Sequence, residues 1–153
     1  MRILSLFFAM TLIVAECAAQ ATPFCVALHK DPKRVMSQVA HFDSLYTPAG
    51  KFMSADTIPV AWYTGFRPAF EKYVAAANLP WDSAQVTKVW IDLCCSPSGR
   101  IERVLYSSMG FNDMNLEKRF CDAIEAFAKD FAFPLTADRP FSQCGSLQFG
   151  KKN

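Results

Sequence analysis

The chain has 153 residues, 52% of them hydrophobic, with a formal net charge of +2 at pH 7. So small a charge excludes the dense basic surface that binding to nucleic acid or to an anionic membrane demands. The length suits one domain around one core, and fourteen phenylalanines give that core ample apolar surface.

Residues 1–24, MRILSLFFAMTLIVAECAAQATPF, follow the three-part pattern of a secretory signal: Arg2, an apolar run from Ile3 to Val14, then small residues. The run is shorter than the roughly 20 residues needed to span a bilayer, and Glu16 interrupts it. Cleavage after Ala19 leaves Gln20 as the new N-terminus, and cleavage after Ala21 fits nearly as well. Lipid attachment at Cys17 is the weaker alternative, because Glu16 stands where a small residue is usual. The expectation is a signal peptide over 1–19 and an exported chain, periplasmic or secreted, with no stable membrane span after cleavage. Five cysteines then remain: Cys25, Cys94, Cys95, Cys121 and Cys144. In an oxidising compartment they read as disulfides with one thiol left over. No C-x-x-C or C…H spacing for zinc and no C-x-x-C-H haem motif occurs, so neither metal nor cofactor is expected.

Asp31-Pro32 predicts a helix start, and Val35, Val39 and Phe42 carry the helix about three turns, to Asp43 or Leu45. YTPAGKFMSADTIP reads as a connecting loop. A second helix is predicted near Arg67–Asn78, with Pro68 early and Phe70, Tyr73, Val74 and Ala77 on one face. From Val86 the period becomes two. Val89, Ile91, Leu93 and Cys95 fall on one side, and Lys88, Trp90, Asp92 and Cys94 on the other. SPSG turns the chain into a return strand over Ile101–Ser107. Leu116, Phe120, Ala123, Ile124, Phe127 and Phe131 then form the stripe of a third helix, with Asn115 as N-cap, Glu117 in the first turn and Pro134 as the stop. SLQFG, residues 146–150, alternates and closes the sheet as a last strand.

Residues 70–149, in this order, resemble the C-terminal domain of TonB-like proteins. FEKYVAAANLPWDSA is similar to that family's leading helix and Pro-containing segment. VTKVWIDLCCSPSGRIERVLYSS looks like its glycine-turn hairpin, and LEKRFCDAIEAF, FAFP and GSLQF stand where its helix and closing strand do. The resemblance implies an α+β fold: a three-stranded antiparallel sheet with helices on one face, a β-β-α-β core over 67–153, preceded by a helical segment over 20–66. It also implies a non-catalytic protein–protein interaction module linked to outer-membrane transport. The last strand, through Ser146, Leu147, Gln148 and Phe149, would accept an extended peptide, with Trp90 as anchor or else packed against the N-terminal segment. The same edge allows a homodimer by strand exchange. The cleavable leader and the lack of a Pro-rich spanning linker depart from the family and leave force transduction without a basis. In the resembled fold the first strand's end lies near the last strand, which implies a Cys94–Cys144 disulfide, then Cys95–Cys121, with Cys25 left over.

Two other classes compete with this reading. One is a structural accessory subunit of an envelope assembly, joined through the N-terminal half. The other, less supported, is a thiol-based redox protein: the only histidines, His29 and His41, lie far upstream of Cys94 and Cys95, and Asp92 reads as surface solvation rather than as a base.

Overall fold

The computed structural model describes residues 24–28, 32–81, 86–108, 111 and 113–150. The expected signal segment with Cys17, Gln20 and Ala21, the cap Asp31, and His29 lie outside these residues.

The strongest patterns give the centre of the fold. Strand β3 (Val86–Cys95) alternates in burial, and β4 (Ile101–Ser108) returns antiparallel to it. Between them Gly99 N–H donates to the Ser96 carbonyl at 2.9 Å, and Gly99 has φ 83°, the left-handed region where a Cβ is penalised. The register slips at Cys94/Cys95, where Ile101 rather than Glu102 stands opposite Cys95. Cys94 and Cys95 still point to opposite faces, and both are buried, at 1% and 0% exposure, because the sheet is covered on each side at this end. Strand β5 (Phe141–Gly150) pairs antiparallel with the other side of β3 over its whole length.

Helix α4 (Met114–Asp130) lies on the sheet through the expected stripe, with Leu116, Phe120, Ala123, Ile124 and Phe127 buried and Phe131 packed at the margin. Its N-cap is Asp113, not Asn115: the Asp113 carboxylate accepts from the Asn115 N–H at 2.8 Å. The helix also stops before Pro134 can act, because Phe131 is already extended. The cause is tertiary. Residues 131–137 strap onto the hairpin tip, with Phe133 N–H donating to Gly99 O and Ala137 N–H to Pro97 O, both at 2.8 Å.

The sheet is larger than the expected three strands. Its order is β1-β4-β3-β5-β2, five strands and mixed. Strand β1 (Cys25–Ala27) runs parallel to β4 and strand β2 (Thr47–Pro48) parallel to β5, so the antiparallel trio carries a parallel strand on each flank. Two- and three-residue strands show no periodicity, which is why the sequence pattern misses them.

Helices cover both faces, not one. Helix α1 (Pro32–Leu45) places Phe42 against Val26, Cys94 and Leu105, together with Tyr46 just past its end, on the face turned away from α4. The segment read as a loop holds a 3-10 turn (Ala49–Lys51) and then a continuous helical stretch. Helix α2 (Thr57–Val60) passes through a π-helical stretch (Ala61–Phe66) into α3 (Arg67–Ala76). Trp62, Phe66, Phe70 and Val74, spaced by four, are all buried in the α4 core. An α-helix turns every 3.6 residues, so a strict spacing of four drifts around it; wider π turns, such as that closed by Arg67 N–H on Trp62 O, bring the side chains back onto one face. The described part of 20–66 thus shares one sheet with the rest of the fold, adding Trp62 and Phe66 to the α4 core and Phe42 and Tyr46 to a smaller cluster on the other face.

Candidate functional site

The backbone of β5 offers an edge. Thr47 N–H donates to Pro140 O at 3.1 Å, so even-numbered residues here turn their amide groups away from β3. The β3–β5 register runs without a slip from Phe141 to Gly150, and that parity persists to the strand's end. Strand β2 reaches only Phe141 and Ser142. Beyond it, among the described residues, no strand lies alongside β5, and Cys144, Ser146 and Gln148 turn their backbone groups away from β3. The one group satisfied locally is the Cys144 carbonyl, which accepts from Gln143 Nε2 at 2.7 Å.

Side chains on β5 split by face. Of the four expected contact residues, Ser146 and Gln148 are exposed on the face opposite α4, while Leu147 and Phe149 point into the core at 0% and 8% exposure. Trp81 stacks on Phe149 with ring centroids 4.4 Å apart and planes 9° apart, and Phe70 and Phe120 meet it edge-on. Phe149 therefore anchors the strand and takes no part in the edge. Trp90 stands directly opposite Ser146 on β5 and Ser107 on β4, and is 49% exposed. The N-terminal segment does not bury it. Helix α1 covers the Cys94 end of this face and leaves Val86, Lys88, Trp90, Ser146 and Gln148 open.

At the covered end Asp92 is not a solvated surface group. It is half-buried beside Cys144 on β5, lines a pocket of ≈ 360 Å³ with Asp43, Pro48 and Gln143, and its Oδ1 has no hydrogen-bond partner. Burial first, then the Asp43 charge, pushes its pKa up to about 6.

The structure distributes the cysteines differently from the implied pairings, and the five described ones are free thiols. Cys94 stands opposite Ser142, and Cys144 opposite Asp92, so Cys94 and Cys144 are diagonal neighbours. Such pairs lie about 7–8 Å apart between Cα atoms, wider than a disulfide comfortably closes. Cys95 is sealed in the core, its thiol directed toward Leu93 O at 3.9 Å. Cys121 does not face it. Cys121 lies within hydrogen-bonding reach of Cys25 and of the Tyr106 hydroxyl, and these residues line one cavity with Glu117. Burial holds the thiols of Cys94, Cys95 and Cys144 above their ordinary value, so none is a ready nucleophile.

A buried Glu117–Tyr106 pair went unread in the sequence. Glu117, 5% exposed, accepts from the Tyr106 hydroxyl at 2.6 Å. One signal pointed to it: Tyr106 shares the inward parity of Val104, so its hydroxyl needs a partner under α4. Among the described residues no group of three or more His, Cys, Asp or Glu side chains gathers to hold a metal ion, and no helix is long and apolar enough to cross a membrane. Comparison with family models, curated proteins and solved structures finds no match to this chain.

Proposed function

We propose that this chain is an exported, non-catalytic interaction module that receives an extended peptide of a cell-envelope protein along the outer edge of β5. The observation that carries the reading is the row of outward backbone groups at Cys144, Ser146 and Gln148, which no described strand accompanies beyond the two residues that β2 occupies. An incoming strand would gain main-chain hydrogen bonds there, with side chains alternating between the two faces. Half-exposed Trp90, one strand in from the edge and opposite Ser146, gives one of those faces an apolar contact. The resemblance to the TonB C-terminal domain supports the same edge, since the order β3, β4, α4, β5 with β3 in the middle is that domain's β-β-α-β arrangement.

Proline at Gln148 tests the proposal cleanly. The Gln148 N–H faces outward, so Gln148→Pro removes a donor offered to the partner and spares the ladder to β3. The variant should keep the wild-type circular dichroism and lose at least about tenfold in capture of the partner from envelope extract, the worth of roughly one well-made hydrogen bond. In the captured wild-type complex the amides of Ser146 and Gln148 should change from fast to slow hydrogen exchange. Undiminished capture by Gln148→Pro, with those amides still exchanging fast, would rule the edge out.

A further inference from the structure

We propose that Cys25 and Cys121 form a redox pair that closes into a disulfide, fastening edge strand β1 to helix α4. The register turns Cys25 toward α4, and a shared cavity brings it to Cys121. Cys25 is aligned with Val104 of β4, whose side chain is fully buried under α4, so Cys25 points toward that helix. Cys121 comes one turn after Glu117 on the flank of α4 that overhangs β1, and both cysteines are half-buried against the same core. They line a single cavity of ≈ 410 Å³ with Phe24, Tyr106 and Glu117, open enough for a small thiol reagent to enter. Strand β1 is short and lies at the edge of the sheet; besides its three-residue ladder to β4, Leu28 N–H donates to Tyr106 O at 2.7 Å and Val104 N–H to Phe24 O at 2.8 Å. A cross-link there closes a long loop and so restricts the unfolded chain.

The chemistry has a direction. Cys121 is the thiol favoured to ionise, chiefly because the Cys25 thiol donates a hydrogen bond toward its sulfur; burial and the neighbouring Glu117 and Asp122 oppose this. Cys25 keeps its proton, held by that same hydrogen bond and by burial. The Cys121 thiolate, having released its proton to solvent, attacks one sulfur of a disulfide in an oxidised dithiol donor. A mixed disulfide forms, and the donor's other sulfur departs as a thiolate. Cys25 then passes its proton to the departing sulfur and attacks the Cys121 sulfur, displacing the donor's remaining sulfur. The protein loses two electrons from two thiols, and the donor disulfide becomes two thiols. Among the described cysteines, Cys94 and Cys95 are sealed away and Cys144 stands alone at the surface, so the oxidant finds one matched pair there.

The test is oxidation of the full chain with oxidised glutathione, followed by trypsin digestion without reduction and mass spectrometry. The peptide Phe120–Lys129 should be found linked to the peptide that ends at Lys30, and the link should vanish in Cys25→Ser but survive in Cys17→Ser and Cys144→Ser. Oxidised wild type should melt on the order of 10 °C above reduced wild type. If the serine variants do not fold, these wild-type measurements decide alone. Recovery of Cys121 as a free thiol, as a stable glutathione adduct, or linked to the Cys94–Cys95 peptide would overturn the proposal.

Discussion

Asp92 leaves the sheet on the face that α1 covers, and its Oδ1 meets no donor. Its pKa, raised from 3.8 to about 6, means that between these values the native chain holds a proton the unfolded chain has lost. The stabilisation is therefore fully present below the lower value and disappears as pH rises through the upper one. Asp92→Asn should flatten this dependence. In urea titrations it should gain about 1–2 kcal/mol over wild type near pH 8, discounted for partial solvent access, and close to nothing near pH 4. Gly99 carries the opposite kind of constraint, one of space. A Cβ there would sit 2.2 Å from the Phe133 carbonyl oxygen, at a φ of +83°. Gly99→Ala should cost about 2–3 kcal/mol in denaturant unfolding and should speed hydrogen exchange at the Phe133 amide, which Gly99 O now holds.

Elements differ in how openly the sequence announces them. The β3–β4 hairpin and α4 are legible because their periods run for eight or more residues and have one apolar face each. The start of β5 is not, since Phe141–Gly145 reads as loop until the strand is known to begin at Phe141. Helix α2 and the π stretch are obscured by Pro59 and Gly65, yet Trp62, Phe66 and Phe70 keep their spacing of four through both. Gly65 is there for Pro134, which a Cβ would meet at 2.5 Å, and Gly145 for the Trp62 ring, at 2.2 Å. No local pattern encodes such mutual fits. The docking edge was half legible: alternation identified the strand, but only the Thr47–Pro140 bond tells which amides look outward. Helix α1 was foreseen as a helix and not as a lid, because its partners Val26, Cys94 and Leu105 lie on three separate strands. Phe42→Ala should remove that lid's centre, costing about 3 kcal/mol. Alkylation of Cys94 in the native protein should rise sharply with it, while Cys95, on the other face, stays protected.

For the whole molecule, the sheet has two flanks of different character. On one side β1 has a cysteine aimed at a second cysteine on α4; on the other β2 stops after Ser142 and leaves most of β5 bare. Under the two proposals above, a cross-link fastens the first flank and an incoming strand docks on the second. Both flanking strands are parallel to their neighbours, and that has a bearing on the order of assembly. A chain delivered from its N-terminus must extend to Tyr106 before β1 has a surface to settle on, and to Ser142 before β2 has one. Neither can form a hairpin with the stretch just made. Cys25–Ala27 and Thr47–Pro48 are consequently among the last described segments to find their places, and this part of the fold arises late, from distant parts meeting.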